Sequence, residues 1–192
     1  MRLFVAITPP VLALDELDAA VAPLRPGPPG QLHWTSPESW HITLAFLGEV
    51  DELVAERLAP WLERAAAGHC GPALSTQGAG AFPSAPRAQV LWTGIQGDRA
   101  ALRQIANSVA AGAREAGAPA ADEGRRFRPH ITLARLREQA DVRPLIAQLK
   151  GHTGPTWQAD RIHLIRSQLG PEPWYESVGS WPLHVSARSL PR

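Results

Sequence analysis

Two five-residue stretches of this chain are identical. His41-Ile42-Thr43-Leu44-Ala45 and His130-Ile131-Thr132-Leu133-Ala134 start 89 residues apart in a chain of 192. Each joins an imidazole, whose charge changes near neutral pH, to a hydroxyl two residues on. Side chains alternate along an extended strand, so His41 and Thr43 share one face while Ile42 and Leu44 share the other. His130 and Thr132 stand in the same relation to Ile131 and Leu133. Two such strands about a pseudo-two-fold axis line a cleft with two imidazoles and two hydroxyls. One imidazole can accept a proton from an attacking water while the other donates a proton to a leaving oxygen. The hydroxyls, with a nearby arginine, can donate hydrogen bonds to anionic oxygens as charge builds in the transition state. Phosphodiester cleavage needs these parts and no metal.

Two arginines flank the second motif. Arg128 lies two residues before His130 and points with it in a regular strand. Arg135 lies five residues after it, so it starts on the opposite face and needs a twist or bend to reach the cleft. Phe4 and Phe46 can stack on a terminal base or pack in the core. His33, His69, His152, His163 and His184 have no partner at a meaningful spacing and read as surface or structural residues. Cys70, the single cysteine, excludes an intramolecular disulfide framework and a cysteine-clustered zinc site. The motif lacks the paired ligands of zinc and iron centres, so no metal or cofactor is expected. No Gly-x-x-x-x-Gly-Lys loop and no Gly-x-Ser-x-Gly elbow occur.

The elements that must position these residues follow from periodicity. Leu3–Ile7 reads as a buried strand stopped by Pro9-Pro10, and Val11, Leu14, Leu17 and Val21 as one stripe of a helix. Residues 26–30 form a loop. His41–Leu47 is a strand closed by Gly48, and Asp51 caps a helix with Val54, Leu58, Trp61, Leu62 and Ala65 on one face. The order then repeats. Gln89–Ile95 is a strand, Asp98 caps a helix carrying Leu102, Ile105, Val109 and Ala113, residues 117–124 form a loop, and Arg128–Leu136 is a strand. A short helix over Asp141–Leu149 and strands at Asp160–Ser167 and Ser177–Val185 complete the chain. The pattern is α+β, with antiparallel sheets, helices outside and a central cleft. Residues 1–192 form a single bilobal domain whose internal repeats carry the motifs at 41–44 and 130–133.

Composition narrows the class further. The chain is 44% hydrophobic and 19% charged with a formal charge of +1, which argues against holding long nucleic acid by bulk electrostatics. Lys150 is the only lysine, and the excess of arginine and proline resembles the coding bias of a GC-rich bacterium. No signal peptide or apolar run of membrane-spanning length is present, so a cytoplasmic location is expected.

The paired His-x-Thr-x motifs resemble the signature of the two-histidine (2H) phosphoesterase superfamily. Within it the chain resembles the bacterial and archaeal RNA 2′,3′-cyclic phosphodiesterases, historically called 2′-5′ RNA ligases. The likeness extends to Arg2–Ile7, Trp40–Gly48, Phe127–Arg135, Ser167-Gln168-Leu169 and the stretch from Gly170 to Tyr175. It implies a LigT-like bilobal fold and opening of a terminal RNA 2′,3′-cyclic phosphate to a 2′-phosphomonoester. His41 maps to the proton donor and His130 to the proton acceptor. Thr43 and Thr132 map to holders of the phosphate oxygens, and Arg135 to a phosphate-binding arginine. Run backwards with a 5′-hydroxyl in place of water, the reaction joins RNA through a 2′-5′ linkage without ATP. The expected partner is RNA bearing the cyclic end, with a monomer sufficient and no membrane or obligate protein partner. The alternatives are a 2H enzyme acting on small cyclic nucleotides and a non-catalytic RNA-end or nucleotide-binding module.

Overall fold

The computed structural model describes residues 1–26, 32–119, 126–168 and 174–185. The chain opens with strand β1 (Arg2–Ile7), helix α1 (Val11–Val21), the short strand β2 (Leu32–Trp34) and strand β3 (Ile42–Glu49). Helix α2 (Glu52–Ala67) leads into a long hairpin, β4 (Ala73–Ser84) and β5 (Arg87–Gly97), and then into helix α3 (Arg99–Glu115). Strand β6 (His130–Ala140), helix α4 (Arg143–Leu149), β7 (Trp157–Gln158), β8 (Arg161–Gln168) and β9 (Trp174–Pro182) follow. Most of the expected loop at 26–30 and of that at 117–124 lies outside the described residues, as do residues 169–173 of the tail.

Two antiparallel sheets form, in the orders β3-β1-β8-β9 and β2-β6-β5-β4-β7. The first is built from both ends of the chain, and the second borrows β2 from the N-terminal part as its edge. Both long helices start where the sequence places a cap. The Asp51 carboxylate accepts from the Val54 N–H at 2.7 Å, and Asp98 from the Ala101 N–H at 3.1 Å. The stripes Val54, Leu58, Leu62 and Ala65 on α2 and Leu102, Ile105, Val109 and Ala113 on α3 are buried in one core. That core also takes Leu3, Val5 and Ile7 from β1 and Ile131 and Leu133 from β6. The other face of β1 packs separately, where Phe4 and Ala6 meet Ile165 and Tyr175. Helices thus cover one face of each sheet, and the opposite faces carry the motifs.

The duplication extends to the hydrogen-bonding register. β3 pairs with β1 as Ile42↔Ile7, Thr43↔Ala6, Ala45↔Val5 and Phe46↔Phe4, so Leu44 is an extra residue. β6 pairs with β5 as Ile131↔Thr93, Thr132↔Trp92, Ala134↔Leu91 and Arg135↔Val90, so Leu133 is extra at the matching place. Such a bulge carries the strand's alternation past one residue. Beyond it, Phe46 and Arg135 stand on the face of Thr43 and Thr132 instead of the helix side. Their partners confirm this, because Val90, Trp92 and Gly94 are alternate residues of β5 and face Arg135, Thr132 and His130 in turn. The parity that set Arg135 opposite His130 holds only for an unbulged strand.

β2 is fastened where that bulge falls. The Thr35 N–H donates to the Leu133 carbonyl at 2.9 Å, and its hydroxyl lies 2.8 and 2.9 Å from the carbonyls of Thr132 and Leu133. The indole N–H of Trp40, a side chain only 1% exposed, donates to that same hydroxyl at 2.8 Å. Trp40 directly precedes His41, so one hydroxyl ties the first motif to the backbone of the second. Replacing Thr35 with valine keeps the shape but strands a buried indole N–H, at an expected cost of about 1–3 kcal/mol. Urea unfolding should show a lower midpoint for Thr35→Val at constant m and a near-native midpoint for Thr35→Ser. Equal midpoints for wild type and Thr35→Val would show that the tie contributes nothing.

Candidate active site

His41 immediately precedes β3, and His130 is the first residue of β6. Both rings are anchored in the same way. His41 Nδ1 donates to the Ser39 carbonyl at 2.7 Å, and His130 Nδ1 donates to the Arg128 carbonyl at 2.6 Å. The Ser39 carbonyl is presented by a single 3₁₀ turn over Pro37–Ser39. Because a carbonyl only accepts, each anchor holds the proton on Nδ1 and leaves Nε2 as the working nitrogen. A neutral imidazole held this way accepts at Nε2, and a charged one donates there.

Each ring sits against aromatic side chains. Phe4 lies 4.7 Å from the His41 ring and Tyr175 meets it edge-on at 5.4 Å, centroid to centroid. Phe82 meets His130 edge-on at 5.0 Å, with Trp92 at 6.0 Å. Burial among these groups disfavours the imidazolium and lowers both pKa values. It pushes His41 down to about 4, with the charges of Arg135 and His130 acting the same way against the Ser39 hydrogen bond. His130 is lowered by burial and then by Arg135, against its own hydrogen bond to the Arg128 carbonyl. The charge of Arg135 therefore acts on both rings. Among the described residues no carboxylate forms a salt bridge with it.

The residues expected from the sequence divide as follows. His41, Thr43, His130, Thr132 and Arg135 come to the uncovered faces, and Thr43 and Thr132 are half-buried there. Phe46 occupies the position in the first motif that Arg135 holds in the second and is 43% exposed, whereas Phe4 is 3% exposed and forms the floor beneath His41. Arg128 precedes β6, so strand alternation does not reach it; its observed contact with the site is its carbonyl, and its side chain is exposed. His69 and His152 pair with the hydroxyls of Ser108 and Thr76 at 2.8 and 2.9 Å. Two other histidines lie on the motif faces. His163 pairs across Ala6, the residue opposite Thr43, and His33 pairs with Arg135.

Phe82, Trp92 and Tyr175 were not singled out by sequence. The pairing of Trp92 with Thr132 could have been found only from the register of the repeat. Phe82 lies on β4, whose glycines and Pro83 hide its strand character. Gly80 is there for a reason, since a Cβ on it would run into the Trp92 indole. No group of three or more His, Cys, Asp or Glu among the described residues is arranged to hold a metal ion.

The sequence pattern of the 2′-5′ RNA ligase superfamily matches residues 13–171. An Archaeoglobus fulgidus protein named RNA 2′,3′-cyclic phosphodiesterase is 30% identical over 183 residues, covering 93% of this chain and 98% of its own length. Proteins of the same name from Aeropyrum pernix and Geobacillus stearothermophilus are 36% and 28% identical over 118 and 151 residues. Those matches cover 59% and 78% of this chain but only 62% and 47% of the relatives, less than two thirds of either. Among solved structures, TT0787 of Thermus thermophilus superposes with a TM-score of 0.74 at 27% identity, covering 96% of this chain and 99% of that one. E. coli LigT complexed with 3′-AMP gives 0.74 at 25% identity, covering 95% and 97%. The matched span, the end-to-end likeness to the Archaeoglobus protein and the duplicated fold agree: the chain belongs to the 2′-5′ RNA ligase superfamily, among the 2H phosphoesterases of the LigT type.

Proposed function

We propose that this protein opens the terminal 2′,3′-cyclic phosphate of RNA to a 2′-phosphomonoester by acid–base catalysis between its two histidines. The observation that carries this reading is the matched pair of imidazoles. Each Nδ1 is fixed to a carbonyl two residues upstream, and the charge of Arg135 bears on both rings. His130 Nε2 takes a proton from water as the water oxygen bonds to phosphorus. The bond from phosphorus to O3′ breaks, and His41 Nε2 gives its proton to O3′. Thr43, Thr132 and Arg135 hold the non-bridging oxygens, where charge concentrates in the transition state. Phe46 offers an exposed face for the terminal base. With a 5′-hydroxyl in place of water and the steps reversed, the same groups form a 2′-5′ linkage with no nucleotide cofactor. The names of the relatives point to the same substrate, and both motifs are complete, which disfavours a binding-only module.

The direct experiment is incubation of the protein with an oligonucleotide ending in a 2′,3′-cyclic phosphate and with a cyclic mononucleotide. Phosphorus NMR then reads the product position. A 2′-phosphate supports the assignment, and a 3′-phosphate reverses which oxygen His41 protonates. His41→Ala and His130→Ala should each lower kcat by roughly 10²–10⁴-fold. Full activity in either variant would sink the mechanism.

The pH dependence has a definite sign. Both imidazoles titrate below the usual 6.5, His41 at about 4, and the reaction needs one of them charged. Above both values the fraction with one proton falls tenfold per pH unit, so kcat/KM should decline steadily from about pH 6.5 upwards. Arg135→Met removes a positive neighbour that lowers both values. Besides weakening phosphate binding, it should move the alkaline limb to higher pH. A limb that stays in place would show that Arg135 does not act on the imidazoles.

A further inference from the structure

β2 brings to the motif face one side chain to which the mechanism gives no task. His33 pairs directly with Arg135 in the β2–β6 ladder, and its side chain is exposed. Directly opposed residues share a face of the sheet, with Cβ atoms about 4.5–5.5 Å apart. The flanking pairs fix which face this is. Leu32 and Trp34, opposite Leu136 and Ala134, pack into the apolar cluster with Val142 on the helix side, so His33 and Arg135 stand on the open side. We propose that His33 and Arg135 form a second anion subsite, which takes the phosphodiester adjoining the terminal cyclic phosphate and makes an oligonucleotide end the preferred substrate over a mononucleotide. The proposal rests on the cyclic-phosphate reading above and names the substrate class within it.

Three observations support the subsite. First, the position directly opposite Arg135 is one where a carboxylate would pair with the guanidinium across the ladder. The residue present is instead a second nitrogen donor, and no salt bridge with a carboxylate quenches Arg135 among the described residues. An anion between the two side chains can accept from both. Second, the proposed mechanism already gives the terminal phosphate two imidazoles, two hydroxyls and Arg135. His33 lies one strand farther out, about 4.8 Å away, where a mononucleotide has no further charge to offer and an RNA chain has its next phosphodiester. Third, β2 is held firmly despite its three residues. The Thr35 N–H and hydroxyl donate to the bulge carbonyls and the hydroxyl oxygen accepts from the Trp40 indole N–H, so the backbone that carries His33 is fixed.

The test compares kcat/KM for uridine 2′,3′-cyclic phosphate with that for a uridine trinucleotide ending in the same cyclic phosphate, using the full chain and its His33→Ala and His33→Lys variants. Wild type should prefer the trinucleotide about tenfold or more. His33→Ala should lower the trinucleotide-to-mononucleotide ratio about tenfold, with the loss entering through KM, and His33→Lys should retain the preference. A ratio identical in wild type and His33→Ala, or no preference in wild type, overturns the subsite while the cyclic-phosphate reading stands. Wild type that opens neither substrate overturns that reading and the subsite with it.

Discussion

One extra residue within each His-x-Thr-x motif sets which side chains reach the open face. Without the bulges at Leu44 and Leu133, strict alternation would turn Phe46 and Arg135 towards the helices and bring Ala45 and Ala134 to the open face instead. The energetic comparison is one-sided. Interrupting a ladder forfeits a hydrogen bond worth about 0.5–1.5 kcal/mol net, whereas burying an unpaired guanidinium costs several kcal/mol. In the second motif even the smaller penalty is offset, because the carbonyls of Thr132 and Leu133 find the Thr35 hydroxyl. The bulge also lets Leu133 and Ala134, neighbours in sequence, both pack on the helix side in two different apolar clusters.

The two halves share a register but not a chemistry. Opposite the threonines stand Ala6 in one half and Trp92 in the other; opposite the residue after the bulge stand Phe4 and Val90; the residue itself is Phe46 in one and Arg135 in the other. The first half thus builds an aromatic floor that buries His41, and the second brings the cation. Duplication alone would give two equivalent imidazoles, which suits neither acid nor base. The substituted neighbours break that equivalence and give the two rings different surroundings, the condition under which the proposed acid and base roles can be divided between them.

Much of this was legible in the sequence, for physical reasons that also explain what was not. The caps at Asp51 and Asp98 and the apolar stripes of α2 and α3 are local signals, and the structure has them where the residues place them. β4 was hidden because Gly78, Gly80 and Pro83 weaken strand propensity, though Gly80 is required by the indole of Trp92 lying over it. β2 and β7, three and two residues long, are strands only because a neighbour offers a ladder. Within the site, the two histidines and threonines follow from identity between repeats. The position of Arg135 depends on a bulge, which is a property of pairing between strands, and no periodicity along a single strand encodes it. For the same reason His33 reads as an ordinary surface residue until its partner across the ladder is known.

The buried imidazoles and the near-neutral chain are two aspects of one electrostatic design. Burial, and after it the charge of Arg135, disfavours charge on His41 and His130. A phosphate diester arriving there neutralises the Arg135 charge, which adds to burial in holding both pKa values down. By linkage, whatever raises the affinity of the imidazoles for a proton is itself bound more tightly when that proton is present. Under the proposed mechanism, anion and proton therefore enter the site together, and the substrate's own charge recruits the proton for the leaving oxygen. A strongly basic surface would work against this coupling, since further fixed cations near the rings would depress the imidazoles beyond what one diester could offset. A formal charge of +1 is compatible with that coupling.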